Sequence, residues 1–263
     1  MKKNIAFLLL MITFVISTAA QDKTLYSKHW FIQNGDTLPF RVLLPKDHDA
    51  SKTYPVIFFL HGRGESGRDN EKQLTHGAAL FLKDSIRHAF PAIVIFPQCA
   101  ADSYWSNVTM VTEGTQNSKR AFHFVQDGPT SEAMQLLLGL VDHVLLNYNV
   151  KKDQVYAMGL SMGGMGTFEL VRRKPKTFAA AIPICGGAHP ATAKEIRKTA
   201  WWVFHGGKDD VVLPVHSEKM VEALKKSKAE VKYTLYPSAN HNSWDPAFAE
   251  KDLLPWLFSH QRK

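Results

Sequence analysis

The sequence predicts an α/β fold with a mostly parallel central sheet, helices on both of its faces and an antiparallel hairpin at the N-terminal edge. Two observations carry that expectation. Short apolar runs alternate with amphipathic stretches from residue 56 to the C-terminal end. Several of those runs, such as 56–60 (VIFFL) and 179–184 (AAAIPI), are apolar at every position, as strands covered on both faces must be.

Taken in order, the chain opens with Lys2 and Lys3, an apolar run over 5–16 and the small residues Ser-Thr-Ala-Ala at 17–20. That is the order of a secretory signal peptide. The run is too short to cross a ~30 Å bilayer, which needs about 20 helical residues. Cleavage is predicted after Ala20, with a secreted or periplasmic destination and no membrane span afterwards; an uncleaved anchor is the competing reading. No cysteine stands at the cleavage point to take a lipid. The remainder, 21–263, falls within the size range of one α/β domain.

Losing Lys2 and Lys3 lowers the formal charge of +8 by two and leaves a mildly basic chain with its charges interspersed. No basic run resembles a nucleic-acid patch. Two cysteines, Cys99 and Cys185, are too few for a disulfide scaffold. They follow runs that are not expected to be neighbouring strands, which favours free thiols over a bridge.

Residues 29–33 and 38–44 flank Asn34-Gly35-Asp36, the turn of a hairpin. Further strands are predicted at 56–60, 92–96, 154–159, 179–184, 201–204 and 231–236. The clearest helix covers 130–148, with Met134, Leu137, Leu138, Val141, Val144 and Leu145 on one face and Pro129, Thr130 and Ser131 at its start. Helices are also predicted at 215–227 and 246–259. The stretch 100–128 is polar, aromatic and too long for a plain connection. It reads as an insertion over the functional face, with disorder as the alternative.

The decisive segment is 155–166, VYAMGLSMGGMG. An apolar strand runs into Gly159-Leu160-Ser161-Met162-Gly163 and then into a helical pattern through Phe168 and Leu170. This is the G-x-S-x-G elbow in its expected strand–turn–helix context, which lifts a serine Oγ to a helix N-terminus. A serine needs a base to take its proton and an acid to orient that base. In this architecture they follow in the order acid, histidine. Asp209 and Asp210, in WWVFHGGKDDVVLP at 201–214, both qualify as the acid. His241, in PSANHNSW at 237–244, is the histidine between the last strand and the C-terminal helix. His260, near the chain end, is expected in solvent. His61 and His205 each precede a glycine at a strand end, where a buried, hydrogen-bonded role is expected.

The strand at 56–60 opens into His61-Gly62-Arg63-Gly64-Glu65. Such a loop supplies one oxyanion amide and the residue after the nucleophile the other, which nominates Arg63 and Met162. The loop lacks the phosphate-binding G-x-x-x-x-G-K-[ST] pattern, and no metal-binding spacing of Cys or His is present, so neither cofactor nor metal is expected.

Together the motifs HGRGESGRDN (61–70), FPQC (96–99), GLSMGGMG (159–166), HGGKDDVV (205–212) and HNSWDPAF (241–248) resemble secreted bacterial esterases of the α/β-hydrolase superfamily. The resemblance spans 54–258. It extends to the phospholipase/carboxylesterase family, to feruloyl and acetyl-xylan esterases of carbohydrate esterase family 1, to poly(hydroxybutyrate) depolymerase-like enzymes and to the group labelled "predicted peptidase". It implies an α/β-hydrolase fold, with Asp209 as the acid, four residues after the first His of its His-Gly pair. It also implies the amide after the first His-Gly pair, here that of Arg63, as an oxyanion donor. Arginine departs from the small or apolar residue usual there, so its side chain is expected at the acyl pocket or its rim.

The expected activity is therefore serine carboxylic-ester hydrolysis through an acyl-enzyme, on small-molecule or carbohydrate-linked esters of feruloyl or acetyl type. The aromatic residues Tyr104, Trp105, Phe122 and Phe124 of the insertion suit stacking on such a substrate, and Trp105 and Trp244 are the candidate substrate contacts. A serine peptidase is the nearest alternative, since the same triad cleaves amides. A non-catalytic binding protein on this scaffold is the alternative from another class.

Overall fold

The computed structural model describes residues 22–111 and 120–262. The leader at 1–20 and the middle of the insertion lie outside the described residues. An eight-stranded sheet is built from β1 (Ser27–Gln33), β2 (Asp36–Leu43), β3 (Tyr54–Leu60), β4 (Ile93–Pro97), β7 (Val150–Leu160), β8 (Ala180–Ile184), β9 (Ala200–Gly206) and β10 (Val231–Tyr236). Its order is β1-β2-β4-β3-β7-β8-β9-β10. From β4 to β10 the pairs are parallel, whereas β1 and β2 pair antiparallel to each other and β2 pairs antiparallel to β4. The hairpin turn is tighter than 34–36. Asn34 and Gly35 alone take positive φ, the two-residue arrangement whose twist matches the strands, and Asp36 already pairs with Gln33.

Successive side chains of β3 explain why its run is apolar throughout. Val56, Phe58 and Leu60 enter the core on one side of the sheet, Ile57 and Phe59 the core on the other. The first core is closed by α3 (Glu132–Asn147), α4 (Met162–Arg173) and α5 (Val215–Lys226). The second is closed by α1 (Ala78–Leu82), α6 (Trp244–Ala249) and α7 (Leu253–Phe258), with Ile86 of α2 (Asp84–Ala89) packed against it. Ser131 caps α3, its Oγ accepting from the amide of Met134 at 3.2 Å.

The predicted C-terminal helix over 246–259 is two helices. Glu250 is extended between them, and Pro255 falls within the first turn of α7. A continuous helix would set the proline ring against the carbonyl of residue 251; restarting at Leu253 puts the missing N–H where no intrahelical partner is needed. The insertion carries a separate hairpin, β5 (Val108–Val111) with β6 (Ala121–Phe124). Phe122 pins it to the domain through Met165 and Val212. Cys99 and Cys185 are buried free thiols at the ends of β4 and β8, which β3 and β7 separate. Among the described residues no helix is long and apolar enough to cross a membrane.

Candidate active site

The site lies at the C-terminal ends of the parallel strands, where α/β folds place their ligands. Ser161 joins β7 to α4 at φ 54°, ψ −117°, a conformation costly for a residue with a Cβ and maintained only by surrounding structure. Its amide donates to the carbonyl of Ile184 at 2.9 Å, fastening the turn to β8. The flanking glycines are required by close approach. A methyl on Gly163 would run into the carbonyl oxygen of Leu60, and one on Gly159 into that of Gly163.

Ser161 Oγ lies 2.9 Å from His241 Nε2, and His241 Nδ1 lies 2.8 Å from Asp209 Oδ2. A carboxylate only accepts, so the proton rests on Nδ1 and Nε2 is left to accept from the serine hydroxyl. Asp209 is buried, and its other oxygen accepts from the amides of Val211 and Val212, each at 2.9 Å. His205 Nε2 stands 3.2 Å from Asp209 Oδ2. Burial alone would raise the Asp209 pKa, but the bonds from His205 and His241 outweigh it and hold the carboxyl well below the usual range. Asp210, the other candidate, is exposed.

Met162 is the first residue of α4 and Arg63 the first of a 3-10 turn, Arg63–Glu65, so both amides precede the bonds of their own turns. The Arg63 guanidinium is turned to the rim, donating from Nη1 to the Ser103 carbonyl at 2.7 Å and from Nη2 to that of Ala101 at 2.5 Å. Beneath this loop His61 is fully buried, and burial lowers its pKa to about 4. Its Nε2 accepts from the Cys99 amide at 2.9 Å, which places its proton on Nδ1, 2.6 Å from the Gly62 carbonyl.

An open cleft above Ser161 is lined by Gly62, Arg63, Gly64, Glu65, His76, Tyr104, Arg120, Phe122, Leu160, Val211, Val212, His241 and Trp244. Trp244 stands on its wall, edge to face with His241 at 5.5 Å between ring centres. Trp105 does not. It is fully buried under the site, packed against the His61 ring and against Gly166, so its nomination as a substrate contact is corrected. Its neighbour Tyr104 lines the cleft instead, with Phe122 beside it. Glu65, His76, Arg120, Val211 and Val212 were not among the predicted site residues; Glu65 and His76 approach each other at 3.7 Å.

Cys185, Asp209 and His241 bring three potential metal-binding atoms within 4.8 Å of one another. The residues do not fit a resident ion. Burial, with the Asp209 charge next, pushes the Cys185 thiol far above its ordinary pKa, away from the thiolate a metal binds. His241 Nδ1 and Asp209 Oδ2 are already bonded to each other.

The strand order and the strand–serine–helix turn are those of an α/β-hydrolase. A family model described as phospholipase/carboxylesterase matches residues 47–251, and the chain belongs to that family. Among solved structures it is similar to a thermostable esterase, at 30% identity and a TM-score of 0.80, covering 91% of this chain. The chain spans 64% of the length of that esterase. A serine-to-alanine mutant of a feruloyl esterase module from Clostridium thermocellum, complexed with sinapinate, aligns at 17% identity and TM-score 0.64, over 93% of this chain and 94% of the module. The acylaminoacyl peptidase of Pyrococcus horikoshii aligns at 14% identity and TM-score 0.59, over 89% of this chain and 41% of the peptidase. At those identities the last two likenesses concern the fold.

Proposed function

We propose that the chain is a serine carboxylic-ester hydrolase with Ser161 as nucleophile, His241 as general base and Asp209 as the acid that orients it. The observation that carries this reading is the relay from Ser161 Oγ through the His241 ring to Asp209, 2.9 and 2.8 Å long, on a serine held at positive φ. Ser161 Oγ attacks the ester carbonyl carbon while its proton passes to His241 Nε2. The carbonyl oxygen becomes an oxyanion held by the amides of Arg63 and Met162, each such donor contributing roughly 3–4 kcal/mol to the transition state. The C–O bond to the alcohol breaks, the alcohol leaves with the proton from His241, and an acyl-serine remains. Water then attacks that acyl group, gives its proton to His241, and the carboxylic acid departs as Ser161 recovers its proton.

The substrate side of the proposal is an ester attached to carbohydrate, of feruloyl or acetyl type. Supporting it is the aromatic lining of the cleft, Tyr104 from the loop after β4, Phe122 from β6 and Trp244 from α6, suited to a planar acyl group or a sugar. The leader at 1–20 supports a secreted or periplasmic enzyme, with 21–263 acting as one hydrolase domain. Rates on p-nitrophenyl acetate, methyl ferulate and a chromogenic dipeptide, for wild type and Ser161→Ala, test the reading. The expected result is turnover of both esters, little of the dipeptide, and loss of both in the variant. Dipeptide turnover matching that of the esters would assign a peptidase instead.

A further inference from the structure

At the opposite end of the sheet from Ser161 lies a second cavity, where β8 and β9 begin. Ser161 follows the end of β7, to which β8 runs parallel, so the length of β8, about 13–16 Å, separates the two sites. The walls come from three connections: Lys176 on the path from α4 to β8, Arg197 and Lys198 on the path to β9, and Glu230 at the entry to β10 with His260 and Arg262 of the C-terminal segment. Its floor is Phe178, Ala179, Thr199 and Ala200.

The charges there are unbalanced. Four cations face one carboxylate, and that carboxylate is engaged, since Glu230 Oε1 lies 2.9 Å from His260 Nε2. His260 is thus held in this wall rather than left in solvent as the sequence suggests. Among the described residues no carboxylate lies in ion-pair contact with Lys176, Arg197, Lys198 or Arg262. Arg262 Nη1 is buried without a hydrogen-bond partner, while its backbone amide is anchored to the Asp153 carbonyl at 2.8 Å. Nη1 itself is closed to solvent, so an anion entering the cavity would be drawn by the field of this unneutralised guanidinium and of the other cations lining the cavity. A guanidinium offers paired N–H groups matched to the two oxygens of a carboxylate or phosphate, and the lysines add long-range attraction.

We propose that this cavity is an oxyanion-binding site, for a small ligand carrying a carboxylate or a phosphate ester. The site is independent of the triad and takes no part in ester cleavage. Calorimetric titration of the full chain with glucuronate, glucose 6-phosphate and glucose tests it on one sugar frame. The expected result is saturable binding of at least one of the two anions, weakened by added salt, and none of glucose. Whether glucuronate or glucose 6-phosphate binds distinguishes carboxylate from phosphate recognition. Arg262→Gln should raise Kd at least tenfold, with hydrolysis of p-nitrophenyl acetate unchanged. If that variant fails to fold, the exposed pair Arg197→Ala/Lys198→Ala decides on the same criterion. Absence of binding by both anions, glucose binding as tightly as they do, or a Kd untouched by the deciding variant would overturn the proposal.

Discussion

The pair His-Gly ends two strands of the sheet, at His61-Gly62 after β3 and at His205-Gly206 in β9. Both histidines are buried and use both ring nitrogens, yet they hold different things. His61 bonds backbone on either side, the Gly62 carbonyl and the Cys99 amide, and so fixes the loop that carries the Arg63 amide. His205 bonds a side chain and a loop, with Nδ1 2.7 Å from the Ser217 hydroxyl and Nε2 donating to the Val212 carbonyl at 2.8 Å, beside the carboxylate of Asp209. The glycines differ as well. A methyl on Gly206 would collide with the backbone carbonyls of Asn240 and Ala239, the residues leading into His241. On Gly62 it would meet Glu65 Oε2 and Leu160 Cδ1 at 3.0 Å, side-chain atoms that can give way, and Ser161 Cβ at 3.6 Å. One strand end shapes the loop that carries the Arg63 amide; the other aligns Asp209 with His241.

The largest effect expected from this contrast is at the acid. Asp209→Asn leaves an oxygen for the Val211 and Val212 amides but removes the charge that fixes the His241 tautomer, so kcat should fall by ~10⁴-fold, as in the analogous aspartate-to-asparagine change. The exposed Asp210, changed to Asn, should keep kcat within a few-fold. If steady-state kinetics reverse the two, the second strand end has been assigned to the wrong carboxylate.

Next comes the glycine pair. Gly206→Ala opposes rigid backbone and should cost ~3 kcal/mol, a drop in Tm of roughly 6–12 °C for a domain of this size. Gly62→Ala should cost under ~1 kcal/mol, yet lower kcat/KM, because its methyl enters the space beside Ser161. Thermal melts and ester kinetics on the two variants check this, and equal losses of Tm would erase the distinction.

A smaller effect is expected at His61. Its folded pKa, about 4, lies below the ordinary 6.5, so the folded state binds the proton less readily than the unfolded chain. The stability it contributes is complete above pH 6.5 and is lost as pH falls towards 4, by up to about 3 kcal/mol. Denaturant titrations between pH 7 and 4 should show that decline, and His61→Gln, which carries no titratable group, should flatten it. An unchanged slope in the variant would mean that His61 is not held neutral by burial.

Much of this was legible beforehand, for physical reasons that also mark its limits. Strands apolar on both faces declare themselves where VIFFL or AAAIPI recurs between amphipathic stretches, although the equally apolar AALFL and LLPWLF fold as short helices, so the run alone does not separate the two. Ser161 and His241 were legible because glycine-bracketed strand exits and chain order constrain them, whereas the choice between Asp209 and Asp210 needed the family resemblance. Helices of five and six residues, as at 78–82 and 84–89, are too short to show a period. The hairpin of the insertion buries little beyond Phe122, and strands of four residues are too short for the alternation in Val108-Thr109-Met110 or Phe122-His123-Phe124 to announce them. Trp105 follows Pro97 closely in sequence, but closeness along the chain does not say whether a side chain rises over the site or sinks beneath it. The missed signal was Gly166, four glycines into 159–166, which leaves a hollow under the site that a large ring fills.

The central claim is that Ser161 is the nucleophile of a working relay. Intact-mass spectrometry after brief exposure to a fluorophosphonate tests it most directly. Wild type should gain the mass of one phosphonyl group per chain, located at Ser161, and Ser161→Ala should gain none. Equal labelling of the variant, or a wild-type chain that stays unlabelled while folded, would contradict the account.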